Sequence, residues 1–383
     1  MLVSILNTVV PVAKFRMQVQ FWKFFVFRIL SEVMDVLFVV FNALIALTLF
    51  CVSAVITHLV LRLDILDEPN IRSSHSRPTP STGGIAIVLT FLLGALIVII
   101  FPNVLSISRD PYLGLFFALM VIALVGLLDD LKVFNSFKAK LIGQVIAASM
   151  LISSGFIFDQ VWLPLSGVFD LGWIGYPIAL LWLVMFTNIF NFMDGLNGLA
   201  GGTAILAAIF LLLIASLESS PVIYVFCYAI AASIGGFFIF NFPHGRIFMG
   251  DVGSQFVGFA FGAMAIYSSQ IDVSKISILV IPLLFFNFLF DTLFTICRRF
   301  CRGEKITEAH RTHLYQLLNQ LGWSHVQVSL FHFFFTCVQG IGVLVFVNTT
   351  TQKQIGIIFG FFVMQMIYAS MVLYFVKRRK LLN

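Results

Sequence analysis

The chain has 383 residues, of which 60% are hydrophobic and only 10% charged, with a mean hydropathy of +1.04 and a formal net charge of +6. A soluble domain carries roughly a quarter charged residues, so a soluble fold is excluded. The basic excess is a topology signal for a membrane protein, not a nucleic-acid footprint, and no nucleic-acid partner is expected.

Residues 1–35 carry Lys14, Arg16, Lys23 and Arg28 among Phe, Trp and Val. They read as an interfacial amphipathic stretch or as a non-native extension. Residues 36–383 read as one transmembrane domain. Apolar runs long enough to cross a hydrocarbon core as helix lie near 36–61, 84–102, 111–128, 138–157, 173–190, 200–217, 221–241, 254–271, 275–296, 326–347 and 354–376. The expected fold is therefore all-α and polytopic, with about eleven transmembrane helices.

Cations sort onto alternate connections. Segments 62–83, 129–140, 191–199, 242–253, 297–325 and 377–383 hold sixteen of the 23 Lys and Arg, whereas the opposite loops hold Arg109, Lys275 and Lys353. By the positive-inside rule the first set is cytoplasmic, the N-terminus outside and the C-terminus inside. Of the five cysteines, Cys51, Cys227 and Cys337 lie in predicted spans, and Cys297 with Cys301 has neither zinc spacing nor an oxidising compartment.

Polar clusters crowd the cytoplasmic loops and the helix ends that feed them, where a membrane enzyme meets a soluble substrate. In chain order, His75 to Gly84 holds Arg77 and several hydroxyls in a Pro- and Gly-bounded turn that could bind an anion. Asp129, Asp130 and Lys132 follow an apolar run. Two adjacent carboxylates suit a cation, although a charge cluster ending a helix has the same appearance. Asn188, Asn191, Asp194 and Asn197 recur every three residues before a glycine-rich exit, which predicts one slowly drifting helical face of hydrogen-bonding groups.

Asn241 precedes Phe248-Met-Gly-Asp251-Val-Gly-Ser254. A glycine-flanked carboxylate on a tight turn is placed like a hard-metal ligand, and a helix cap is the plain alternative. In the largest basic loop, His310, Arg311 and His313 suit a diphosphate. Asp291 lies inside a predicted span, where a carboxylate needs a partner; Arg298, two turns on, is the expected one.

Four of these clusters, in this order, resemble the polyprenyl-phosphate N-acetylhexosamine-1-phosphate transferase superfamily, also called glycosyltransferase family 4. They are Asp129-Asp130-Leu-Lys132, Asn188 to Gly202, Phe248 to Ser254 and His310-Arg-Thr-His313, and the resemblance runs from about residue 60 to about residue 320. It implies a Mg-dependent enzyme (Mn being an alternative) of the bacterial cytoplasmic (inner) membrane. Such an enzyme transfers a sugar-1-phosphate from a UDP-sugar to undecaprenyl phosphate and releases UMP. By position, Asp251 looks like the magnesium ligand, and Asp129 with Asp130 like the pair handling the lipid phosphate. Phe248 would stack on uracil. Asn241, Asp194 and Asn197 would line the nucleoside and sugar pocket, with Asn188, Asn191 and Arg77 also among the substrate-binding residues, while Lys132, His310, Arg311 and His313 would hold the diphosphate. Oligomeric state is open, a dimer being one option.

Two departures bear on the branch. Asn197 stands where many relatives have a second Asp, and the tight histidine run of the phospho-N-acetylmuramoyl-pentapeptide transferases of peptidoglycan synthesis is missing. The His-Arg-x-His-x-Tyr form looks more like enzymes that initiate O-antigen or other surface polysaccharides. A lipid or solute transporter is the rival class. It would place polar residues near the midplane with an internal repeat, and neither pattern is seen.

Overall fold

The computed structural model describes residues 39–63, 65–67, 78–100, 109–134, 136–164, 167–272, 274, 276–305, 308 and 310–380. The expected interfacial stretch 1–35 and Arg77 lie outside them. By internal contacts the chain divides into Met1–Thr48 and Leu49–Asn383. In the first unit the described residues are helical.

The chain is mostly helical. Among the described residues seven helices are long and apolar enough to cross a membrane, and Gly84–Ile100 is a shorter apolar one. In order they are α1 (Val39–Val60), α2 (Gly84–Ile100), α3 (Arg109–Asp130), α4 (Phe137–Ser153), α5 (Gly175–Phe192), α6 (Leu199–Leu217), α7 (Pro221–Asn241), α8 (Gly250–Ile266), α9 (Val280–Leu284), α10 (Phe286–Cys301), α11 (Leu314–Gln320), α12 (His325–Val347) and α13 (Thr351–Arg378).

These bounds follow the apolar runs to within a few residues except in the ninth, which breaks between α9 and α10 at Phe285. There the Asn287 side-chain oxygen accepts the Phe288 N–H at 3.1 Å, a local bond that competes with the helical ladder. Among the described residues there are also two small antiparallel pairs, unseen in the apolar pattern. β1 (Leu66–Asp67) pairs with β2 (Thr79–Pro80), and β3 (Gln160–Leu163) with β4 (Gly167–Asp170).

α8 is the axis of the bundle. Every residue from Val252 to Ile266 is buried, which a helix apolar on all sides requires, and α2, α3 and α5 pack around it. α6 packs between α7 and α12. The α3 to α8 approach is backbone to backbone: a Cβ on Gly126 would lie 2.5 Å from the Asp251 carbonyl oxygen. Only glycine permits that distance, and it brings the carboxylates ending α3 against the first turn of α8. Phe359, Phe362, Ile367, Met371 and Phe375 on α13 are exposed, as lipid-facing residues are.

Candidate active site

α8 begins at Gly250, whose φ of +71° puts it in the left-handed region, and a Cβ there would meet Asp130 Oδ2 at 2.6 Å. The Asp130 carboxylate takes this place as the cap of α8. Its Oδ1 accepts the Asp251 N–H at 2.8 Å and its Oδ2 the Val252 N–H at 3.0 Å. Two of the orphan amides of a helix start are satisfied by a carboxylate from another helix. The adjacent acids therefore diverge: Asp130 caps α8, while Asp129 faces the Lys140 ammonium at 3.2 Å.

Lys140, in the first turn of α4, also bonds Asp251 Oδ2 and lies 3.3 Å from Asn191 Oδ1. Asn191 Nδ2 in turn donates to Asp251 Oδ1 at 2.9 Å and to Ser254 Oγ at 2.7 Å. Behind this cluster runs a buried chain of amides. Asn188 Nδ2 donates to Gln144 Oε1 at 2.6 Å, Gln144 Nε2 to Gln255 Oε1 at 2.9 Å, and Gln255 Nε2 to Asp251 Oδ2 at 3.3 Å. Asp251 is thus oriented by α4, α5 and its own helix.

The cluster opens into a polar cavity of about 410 Å³. Among the expected residues Asp129, Asp130, Lys132, Asn191, Asp194, Asn197, Asn241, Phe248 and Asp251 line it. Asn188 stands behind the lining, spent on Gln144. His310, Arg311 and His313 are also outside the lining.

The four amide and acid residues do not share one helical face. α5 ends at Phe192 with Met193 as its cap, and Gly198 caps α6 at a φ of +78°. Asp194 and Asn197 therefore sit on a turn, and they reach the cavity because the helix stops. The Gly198 N–H is taken by Asn241 Oδ1 at 2.7 Å, and Asn241 Nδ2 donates to the Ile247 carbonyl at 2.8 Å. Asn241 thereby ties the α6 start to the loop carrying Phe248. That loop is held in turn by Pro80 to Gly84: Phe248 N–H donates to the Pro80 carbonyl at 2.7 Å, and Gly83 N–H to the Phe248 carbonyl at 3.0 Å.

Among the described residues no hydrogen bond reaches the Asp194 carboxyl, and burial together with the nearby Asp251 and Asp130 charges raises its pKa well above the carboxylate range. The expected Asp291–Arg298 pair is not formed. Asp291, fully buried on α10, accepts the Leu314 and Tyr315 N–H groups at 2.9 and 3.0 Å and lies 3.2 Å from His313 Nδ1. Arg298 instead donates to the Thr312 carbonyl. The two backbone amides and the His313 ring supply the partners that a carboxylate buried in the bundle requires. Asp291 thus caps α11 as Asp130 caps α8.

His310 stacks on His313, ring centroids 5.0 Å apart. Burial and then the neighbouring His313, Arg299 and Arg298 lower its pKa to about 4, leaving it neutral at pH 7. Tyr315 donates its hydroxyl to the Phe192 carbonyl at 2.8 Å and so fixes the end of α5.

Sequence reading missed Lys140, Gln144 and Gln255. A signal existed, since Lys140 with Gln144 and Asp251 with Gln255 are pairs four residues apart within apolar helices, where polar side chains need partners. The Asp129 and Asp251 carboxylates and the Asn191 carbonyl oxygen converge where the Lys140 ammonium lies. This all-oxygen set fits a hard divalent cation bound through one or two carboxylates and completed by substrate phosphates. Among the described residues no group of three or more His, Cys, Asp or Glu forms a protein-only metal cage.

Comparison with known proteins identifies relatives by sequence. Residues 112–269 match the model of glycosyl transferase family 4. The chain is 29% identical over 326 residues to a probable undecaprenyl-phosphate N-acetylglucosaminyl 1-phosphate transferase of Bacillus subtilis, covering 85% of this chain and 89% of that protein. It is 30% identical over 317 residues to a decaprenyl-phosphate N-acetylglucosaminephosphotransferase of Mycobacterium leprae, covering 75% and 79%. With a phospho-N-acetylmuramoyl-pentapeptide-transferase of Lactobacillus gasseri it shares 29% identity over 262 residues, 66% of this chain and 79% of that one. On this footing the chain belongs to glycosyl transferase family 4, within the superfamily of polyprenyl-phosphate N-acetylhexosamine-1-phosphate transferases.

Proposed function

We propose that this protein transfers an N-acetylhexosamine-1-phosphate from a UDP-sugar to undecaprenyl phosphate, releasing UMP and initiating O-antigen or another surface polysaccharide. The observation that carries the reading is the Asp129–Lys140–Asp251 cluster on a polar cavity at the ends of apolar helices. A water-soluble nucleotide sugar and a lipid phosphate can both reach such a place.

In the proposed reaction an oxygen of the lipid phosphate attacks the phosphorus bonded to the sugar, and the bond from that phosphorus to the UMP oxygen breaks. Positioning and electrostatics supply most of such a rate enhancement. Asp129, held by Lys140, orients the lipid phosphate or takes its proton. Asn191 and Gln255 hold Asp251, Lys132 offers a cation to the diphosphate, and Phe248 stacks on uracil. Mg²⁺, held by Asp251 with Asp129 and Asn191 near it, would neutralise charge on the diphosphate.

The resemblance of the His310 to Tyr315 segment to initiating enzymes supports surface polysaccharide over peptidoglycan, and the coverage shared with the N-acetylglucosaminyl relative supports an N-acetylhexosamine as the sugar. The proposed topology has eleven spans in the bacterial cytoplasmic membrane with the C-terminus and the cavity cytoplasmic. It rests on the sorting of cations. A cysteine at Ser136 should then label from the cytoplasmic side alone. Incubating membranes with undecaprenyl phosphate and a panel of UDP-sugars tests the activity: release of UMP with one N-acetylhexosamine is expected, and turnover with none of them would reject the proposal.

A further inference from the structure

α11 borders two cavities. Gln316 lines the polar one, while Leu318, with Leu321 and Trp323 just past the helix end, lines an apolar groove of about 740 Å³. Phe331 and Phe335 of α12 and Met371 and Phe375 of α13 form its other walls. Tyr368 also lines it, but its hydroxyl lies 3.5 Å from His332 Nε2.

Among the described residues Arg379 is the one charged residue of this lining. Its Nη1 donates to the Leu321 carbonyl at 2.7 Å, which pins the guanidinium to the end of the groove. Lys377, Arg378 and Lys380 are exposed beside it. An apolar groove in a membrane helix pair, ended by four cations, complements one kind of molecule: an acyl chain carrying an anionic headgroup. A two-fold dimer through this face would instead bring two cation clusters together.

We propose that the groove between α11, α12 and α13 is a binding site for an anionic membrane phospholipid, its chain along α13 and its phosphate on Arg379. The site is separate from the catalytic cavity and does not depend on the reaction proposed above. Because α11 borders both cavities, the lipid supports the helix that presents Gln316 to the polar one.

Trp323 reports on the groove. The full-length protein is reconstituted into vesicles containing brominated phosphatidylglycerol or brominated phosphatidylcholine, and the fluorescence of Trp323→Phe is subtracted to isolate the Trp323 signal. Half-quenching is expected at about fivefold lower mole fraction of the anionic lipid, the preference one basic side chain near the surface confers. Arg379→Gln should bring the two lipids together. Gly360→Phe, which fills the groove at a position where an added Cβ meets nothing within 4 Å, should weaken quenching by both.

Equal quenching of the wild-type protein by the two lipids overturns the proposal without recourse to any variant. So does relief of quenching by undecaprenyl phosphate at a one-to-one ratio to protein, which would assign the groove to the isoprenoid. Absence of quenching by either lipid would mean that protein covers this face, and overturns it as well.

Discussion

Asp130, the last residue of α3, caps the helix that carries Asp251: its two carboxylate oxygens take the N–H groups of Asp251 and Val252 at 2.8 and 3.0 Å. The two members of the Asp129-Asp130 motif are therefore separated by which atoms they face, one on a helix start and the other on an ammonium.

Loss of this cap should appear as lost stability. Asp130→Ala is expected to cost about 1 to 2 kcal/mol, the range for removing a capping side chain, seen as a lower melting temperature in detergent. Asp129→Asn leaves the cap intact and should melt closer to wild type. If the two variants melt alike, Asp130 is not acting as a cap.

At Asp251 the expected effect is on turnover. Asp251→Asn should lower activity at least about a thousandfold, roughly 4 kcal/mol of transition-state stabilisation, as for removal of a metal ligand. The protein should stay folded, because the Asp130 cap bonds the backbone of residue 251 and not its side chain. Magnesium-dependent turnover near the wild-type rate would remove Asp251 from the metal site.

Phe248 lines the polar cavity on a loop held at both backbone polar groups by Pro80 and Gly83. Stacking on a base is worth on the order of 1 to 3 kcal/mol. Phe248→Ala should thus raise the nucleotide-sugar KM and weaken UMP inhibition by roughly ten- to a hundredfold, and Tyr or Trp should restore much of both. Unchanged UMP inhibition in a folded Phe248→Ala protein means that the ring only packs.

For His310 the folded pKa of about 4 lies below the ordinary value of 6.5. Between those two pH values the unfolded chain binds a proton at this ring that the folded chain does not. Stability present at neutral pH is therefore lost as pH falls from 6.5 towards 4. His310→Gln should show a smaller drop in melting temperature between pH 7 and pH 4.5 than wild type. A drop of the same size would mean that this imidazole titrates alike in both states.

Much of the membrane architecture was readable without coordinates, because the cost of exposing a backbone or a charge to hydrocarbon acts locally along the chain. Hydropathy over a window of one span located the helices, down to bounds such as 221–241, and four ordered clusters pointed to the family. What hydropathy does not carry is interruption and pairing. The break at Phe285 was hidden, since apolar composition continues through it.

Sequence alone determined which solvent this chain folds in, where its apolar spans fall and which polar segments are candidates for chemistry. Tertiary structure alone decided which of those polar groups meet. It set Lys140 between Asp129 and Asp251, turned Asp130 into a cap, gave Asn188 to Gln144 and Asp291 to His313 and the start of α11. The physical reason is distance along the chain. Span formation depends on neighbouring residues, whereas Asp129 and Asp251 come together only when α3 packs on α8 at Gly126, a contact between segments over a hundred residues apart.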